Sequence, residues 1–283
     1  FEVKANQTTY PMIFLEDTSY TPPTIVYYNY PEPEQPAYLG LRSSFEMTQS
    51  YVDNTIDALD GQTIRRVLYR DGKMYILALD ATKNPTLVEV DPATKQVLAT
   101  LPTDFCSVVD AQGLKLSDIT FSADGYLIGC NQEHTTFNPA NKWKVYKWEH
   151  TDAGWTGALW LDNTNNETAG NFNDALIGTT IAYSGTLTDG YLAASVYSIG
   201  AVSHTLRFCV YTISDGAYAG AFRNKPIGIT LAEYGHEVQM VVSPRDSMQF
   251  IFSSPNKEPF EWRMNTTTNT DINPVGTLPF HTN

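Results

Sequence analysis

Cysteine is scarce in this sequence, with three residues in a chain of 283. An odd number leaves at least one unpaired, and no two of Cys106, Cys130 and Cys209 have the spacing of metal ligands. The sequence therefore predicts small buried thiols rather than a zinc site or a catalytic cysteine.

Long apolar runs are missing too. No stretch approaches the roughly 18 apolar residues of a membrane-spanning helix, so no transmembrane segment is predicted.

Basic residues are outnumbered by acidic ones, 18 against 31, which gives a formal net charge of -13. Proteins that bind nucleic acid neutralise its phosphates with Lys and Arg. A chain of this charge would be repelled by a phosphate backbone, so nucleic acid is not expected as a partner. The acidic surface is expected to serve solubility, with a specific cationic partner as the alternative.

Sequence motifs of common enzyme sites are also missing. The chain has no His-Glu-x-x-His, no Gly-x-Ser-x-Gly, no phosphate loop and no dinucleotide fingerprint, and its glycines are predicted in turns. No catalytic residue and no cofactor are predicted. The run Asp162–Glu167 is rich in oxygen ligands, but Thr164 breaks the Ca²⁺-loop pattern, so a solvated loop is favoured over a Ca²⁺ site near Asp162. Paired carboxylates of a glycosidase meet only in space, so the sequence leaves them open.

Short strands rich in Tyr, Phe, Thr, Val and Ile recur between turn residues, and four segments repeat one pattern of two hairpins. Their first turns carry Asp71, Asp124, Asp189 and Asp246, three of them followed by Gly, a strong hairpin signal. Four strands per repeat is typical of a β-propeller blade. A β-sandwich is the alternative, but it would not require four copies of one unit. The predicted blades are 61–102, 114–161, 174–223 and 235–280.

The predicted fold is thus all-β, a single propeller domain over 1–283 with irregular strands or a closing strand in 1–60. About five blades are expected if the chain is complete, and roughly six to eight if it is a fragment. The apolar second strands, Tyr75–Leu79 and Tyr191–Ala194, are expected to be buried on both faces. The alternating third strand Leu87–Val90 is expected nearer the rim. Phe45–Asp60 is the one short helix predicted.

The segment Leu116–Asn131, followed by Asn141–Trp148, resembles an uncharacterised family of propeller-like proteins from gut Bacteroidetes, many of them lipoproteins. The segment shares with that family the Asp-Gly hairpin and the Lys-Val-Tyr-Lys-Trp strand, which are separated along the chain as they are in the family. The resemblance implies export to the cell envelope, a propeller fold and no assigned catalytic residue. Because the chain begins at Phe1 without Met, a removed leader or lipid-anchored segment is expected, with the protein outside the cell or at its outer membrane.

Ligand-binding residues are expected on the face where the long, variable loops gather, since binding residues concentrate on loops held by rigid scaffolds. Amide and aromatic side chains there suit the hydroxyls and C–H faces of sugars. Trp143 and Tyr234 have interblade packing as an alternative role, and the alternative for the histidines is that they are ordinary loop residues. The predicted ligand-binding residues are Asn131, Glu133, His134, Asn141, Trp143, Phe172, Arg223, Tyr234 and His236.

The function that these patterns favour is non-catalytic capture of a glycan or another nutrient at the cell envelope, with an outer-membrane transporter complex as the expected partner. One alternative is a polysaccharide hydrolase or lyase that acts on the same loop face. A second alternative is a scaffold for protein–protein interaction, which a broad apolar patch without a pocket would favour.

Overall fold

A computed structural model of the protein describes residues 15–17, 24–26, 56–109, 111–134, 143–163, 175–198, 206–226, 238–243, 246–254, 257–268, 270–272 and 274–277. The chain divides into two compact units, 1–43 and 44–283. In the first unit, strand β1 (Leu15–Asp17) pairs antiparallel with β2 (Thr24–Val26). Most of the helix predicted over Phe45–Asp60 lies outside the described residues, and Asp57–Leu59 form a turn of 3-10 helix.

The first sheet of the second unit is an antiparallel meander that follows the first predicted repeat. Its strands are β3 (Thr63–Arg70), β4 (Lys73–Leu79), β5 (Pro85–Val90) and β6 (Val97–Leu101), in that spatial order. All but the first residue of β4 are buried, which confirms that this apolar strand is covered on both faces. The last four residues of the third strand, β5, are also buried, including Glu89, and its place nearer the rim stays a prediction.

The second and third sheets follow the next two repeats and are also antiparallel. The second contains β7 (Leu114–Phe121), β8 (Leu127–His134), β9 (Trp143–Thr151) and β10 (Gly154–Asn163). The third contains β11 (Ala175–Gly185), β12 (Gly190–Ser198), β13 (Leu206–Ser214) and β14 (Ala217–Pro226). A short pairing joins them at one end, where Leu176 and Ile177 of β11 lie beside His134 and Glu133 of β8.

The fourth sheet contains β15 (Gln239–Val242), β16 (Gln249–Ser254), β17 (Lys257–Arg263) and β19 (Pro274–Thr277). The intervening β18 (Thr270–Ile272) pairs in parallel with the end of β14 and so ties the fourth repeat to the third sheet. The all-β prediction is confirmed, and the described residues contain no α-helix.

Two of the Asp-Gly turns have the backbone that this dipeptide favours. Asp71 and Gly72 have φ values of 52° and 78°, and Asp215 and Gly216 have 52° and 72°. Positive φ at both central residues gives the strand twist that a two-residue hairpin needs. These turns, with those at 122–126 and 151–154, lie at one end of the sheets, called here the turn end. The opposite end, which carries 80–84 and 102–113, is called the loop end.

The turn at Asp124 differs, because only Gly125 has positive φ there, at 96°. The Asp124 carboxylate instead accepts hydrogen bonds from the Leu187 N–H, with both oxygens 3.1 Å from the nitrogen. The Ala123 N–H also donates to the Gly185 carbonyl at 2.8 Å. This turn therefore binds the second sheet to the third.

One cycle of polar contacts joins the first strands of the four repeats, β3, β7, β11 and β15. Arg66 Nε on β3 lies 3.4 Å from Asp118 Oδ1 on β7, and Asp118 Oδ2 accepts a hydrogen bond from the Thr180 hydroxyl on β11 at 2.7 Å. The Thr180 hydroxyl oxygen accepts from the Met240 N–H on β15 at 3.0 Å. The Met240 carbonyl accepts from Arg66 Nη2 at 2.8 Å, which returns the cycle to β3. Arg66 and Asp118 are both buried, so this ion pair is shielded from solvent.

Candidate functional site

The structure describes only part of the predicted binding set. Arg223 lies on β14, partly exposed, opposite Cys209 of β13. His134 ends β8, but its side chain is not described. Four further predicted residues lie outside the described residues: Asn141, Phe172, Tyr234 and His236. The ligand-binding roles of these residues stay predictions.

Asn131 and Glu133 come together at the loop end and face the protein interior. Asn131 Nδ2 lies 3.3 Å from both Glu133 Oε2 and the Ser107 carbonyl, and its Oδ1 accepts from the Lys144 N–H at 2.7 Å. Glu133 Oε2 also accepts from the Val109 N–H at 3.1 Å. Both side chains are buried. They therefore fasten the connection between β6 and β7 onto the second sheet.

Trp143 has the packing role that the sequence left as an alternative. Its side chain is buried, its indole N–H donates to the Asn131 carbonyl at 3.0 Å, and its ring stacks on Tyr211 with centroids 5.0 Å apart. The contact joins β9 of the second sheet to β13 of the third. Trp143 thus forms part of the core between two sheets.

A cleft of about 200 Å³ opens at the turn end, between the first and second sheets. It lies at the opposite end from the predicted loop face. The hairpin turn 70–73 forms one side, and the ends of β7, β9 and β10 form the other. The lining residues are Arg70, Asp71, Lys73, Tyr75, Phe121, Gly125, His150 and Trp155.

Aromatic rings set at steep angles to one another form the floor of the cleft. Tyr75 meets Phe121 edge-on with centroids 4.9 Å apart and Trp155 edge-on at 5.8 Å. His150 meets Trp155 edge-on at 5.1 Å. Edge-to-face contacts are favourable for aromatic pairs and fix the orientation of each ring. Phe121 and Trp155 remain partly exposed, and both line the cleft.

Glu89 lies under the cleft and binds two of its lining residues, Trp155 and Lys73. This buried carboxylate accepts the Trp155 indole N–H at 2.6 Å and forms an ion pair with Lys73 Nζ at 2.5 Å. Burial, together with the negative charge of Glu89, raises the pKa of Tyr75 to about 12, so the phenol is neutral at physiological pH. Sequence reasoning missed Glu89 because it is a lone acid in an alternating strand. The signal that could have identified it is its position directly opposite Tyr75 in the pairing of β4 with β5.

Arg70 fixes the distance between the two sheets at the cleft. Its guanidinium donates to the Ser122 carbonyl at 2.6 Å and the Ala123 carbonyl at 3.2 Å. The guanidinium carbon also lies 5.0 Å from the centroid of the Phe121 ring, a cation–π arrangement. Its Nε lies 3.3 Å from the Asp71 carboxylate. Arg70 therefore already occupies the cation position on the aromatic floor.

The cysteine prediction is confirmed, because Cys106, Cys130 and Cys209 are all free and buried. Burial raises the pKa of each thiol, to about 12 for Cys106 and Cys209 and further for Cys130. A raised pKa reduces the fraction of thiolate at neutral pH, and the thiolate is the reactive form.

We expect all three thiols to be inert in the folded protein. With Ellman's reagent at pH 8, no thiol should react before unfolding, and three should react after unfolding in guanidinium chloride. Reaction of a thiol in the folded protein at the rate of free cysteine would contradict the buried positions.

The described residues contain no group of three or more His, Cys, Asp or Glu side chains placed to hold a metal ion. Of the oxygen-rich run considered for Ca²⁺, Asp162 and Asn163 end β10, and the rest lies outside the described residues. Within the described part of the chain, no helix is long and apolar enough to cross a membrane.

No protein-family model and no curated protein matches this sequence. A solved structure described as Bacteroides ovatus Xyloglucan PUL GH43B is similar over 78% of this chain and 45% of its own length, with 10% sequence identity and a TM-score of 0.42. The chain thus matches less than half the length of that protein.

Proposed function

We propose that this protein is a non-catalytic carbohydrate-binding protein and that the cleft at the turn end is its binding site. The observation that carries the proposal is the partly exposed pair Phe121 and Trp155, beside the polar side chains of Asp71 and Lys73. Aromatic faces pack against the C–H faces of sugars, and charged side chains bond their hydroxyls. Few, precisely oriented polar groups in an aromatic cleft are the usual composition of a small-ligand site.

Binding is favoured over catalysis by the contacts of the buried carboxylates. In the described residues these are Glu89, Asp118, Glu133 and Glu261. Asp118 is occupied by Arg66 and Thr180, and Glu261 accepts from the Ser243 hydroxyl. Glycoside hydrolysis requires two carboxyl groups on either side of the scissile bond, within reach of substrate. The occupied carboxylates support a binding role.

The proposal includes a propeller arrangement of the four sheets and export to the cell surface. The cycle of contacts through Arg66, Asp118, Thr180 and Met240 supports the first, because the innermost strands of propeller blades surround a common axis. The family resemblance of Leu116–Asn131 implies export, and delivery of the glycan to an outer-membrane transporter is proposed with it.

A glycan array followed by isothermal titration calorimetry tests the proposed function. We expect at least one class of oligosaccharide to bind and to change the fluorescence of the protein, because Trp155 lines the cleft. Released sugars should not appear when the bound oligosaccharide is incubated with the protein and analysed by chromatography. Failure of every glycan to bind would overturn the proposal, and turnover of the bound glycan would replace it with the enzyme alternative.

A further inference from the structure

Resting on the proposed function, we infer that the cleft binds one neutral sugar ring, the end residue of a glycan, and selects against uronic acids. The ring lies on Trp155, beside Phe121, and its hydroxyls bond Asp71 and Lys73. Glu89 is a positioning residue that holds both Trp155 and Lys73 in place. Three independent features of the cleft, its size, its charge and its rigidity, carry this inference.

The size of the cleft limits the ligand to one ring. Its volume is about 200 Å³, whereas sites for drug-sized ligands measure roughly 300–1,000 Å³. The floor is closed by Tyr75, which is only 6% exposed, so a ligand enters from the solvent side and does not extend deeper between the sheets. The cleft thus accepts the terminal residue of an oligosaccharide, with the remainder outside.

The charges of the cleft favour a neutral ligand. Each cation already faces a carboxylate, since Arg70 lies beside Asp71 and Lys73 lies beside the buried Glu89. A ligand carboxylate would therefore meet no unmatched positive charge, and it would approach Asp71, which is 86% exposed. The net charge of -13 adds repulsion at longer range. A ligand cation is also disfavoured, because Arg70 occupies the Phe121 face.

The polar groups are arranged to bond hydroxyls. The exposed Asp71 carboxylate accepts from a pair of neighbouring hydroxyls, while Lys73 Nζ, which is on a side chain 40% exposed, donates to them. The ion pair and the indole hydrogen bond with Glu89 hold Lys73 and Trp155 before the ligand arrives. A preorganised site loses less conformational entropy on binding.

The inference is tested with methyl glycosides of glucose, galactose, mannose and xylose, and with the methyl glycosides of glucuronic and galacturonic acid. Titration calorimetry at low salt should show binding of at least one neutral glycoside, and the matching uronide should bind at least about tenfold more weakly. Trp155→Ala should weaken neutral binding about tenfold or more, and Trp155→Phe should restore part of it. Leu159→Ala is the matched control, an exposed apolar residue on the same strand and outside the cleft.

Asp71→Asn removes a charge from the cleft without disturbing the fold, since Asp71 lies on an exposed turn. It should weaken binding of the neutral glycoside and strengthen binding of the uronide. Glu89→Gln should weaken binding of the neutral glycoside. When Asp71→Asn is added to Glu89→Gln, it should still strengthen binding of the uronide. If glycans bind but Trp155→Ala binds them like the Leu159→Ala control, the inference is overturned and the proposed function stands at another site. Equal affinity for uronides overturns the selectivity. If no carbohydrate binds, the proposed function fails as well.

Discussion

Replacing Asp118 with Asn is expected to lower the free energy of unfolding by about 3–5 kcal/mol, the usual cost of removing one partner of a buried ion pair. The substitution keeps the size of the side chain but leaves Arg66 buried without its counter-charge. It also weakens the acceptor for the Thr180 hydroxyl and for the Ile181 N–H, which donates to Asp118 Oδ2 at 2.8 Å. Because these contacts join the first strands of the first three sheets, the loss should affect the whole second unit.

Urea unfolding followed by circular dichroism measures this effect. Asp152→Asn is the matched control, because Asp152 is exposed on the β9–β10 turn, and its unfolding midpoint should equal that of the wild type. The double variant Asp118→Asn with Arg66→Met should lose less stability than the sum of the two single variants, since it removes both charges. An Asp118→Asn midpoint equal to the control would show that the cycle does not hold the sheets together.

Much of the strand pattern could be predicted because it depends on local sequence. The third predicted blade is 174–223, and the four strands of the third sheet run from Ala175 at the start of β11 to Pro226 at the end of β14. Apolar runs bounded by turn residues are sufficient to predict where such strands lie. The Asp71-Gly72 turn was equally local, and its backbone has the expected positive φ values.

The site could not be predicted in the same way, because its contacts join distant strands. Glu89 lies in a strand whose pattern names no partner for it, yet Trp155 and Lys73 bind its carboxylate. Asn131 was predicted to bind a ligand because amide side chains suit sugar hydroxyls. Its side chain instead bonds the Ser107 carbonyl and the Lys144 N–H, and so holds a loop against the second sheet. Neither arrangement follows from spacing along the chain, since burial of a polar residue depends on the partner that another strand supplies.

Gly178 is a further position where local reasoning was wrong, because glycines were predicted in turns and this one lies inside β11. It has φ of 85° at a register shift between Ile177 and Ile181. A Cβ atom there would overlap the Trp143 indole nitrogen and the Asn131 carbonyl oxygen. Gly178→Ala is therefore expected to lower the free energy of unfolding by about 3 kcal/mol or more, from left-handed backbone strain and overpacking together.

Gly216→Ala is the matched control for this prediction. Gly216 also has positive φ, 72°, but no atom lies within 4 Å of the position that its Cβ would take. Its substitution should cost about 1–2 kcal/mol, the strain alone. Urea unfolding of both variants separates the two causes, because only Gly178→Ala displaces Trp143. Equal losses in the two variants would mean that the core between the second and third sheets yields to the added methyl group. A larger loss for Gly178→Ala would show that the buried Trp143–Asn131 hydrogen bond requires a glycine at this bulge.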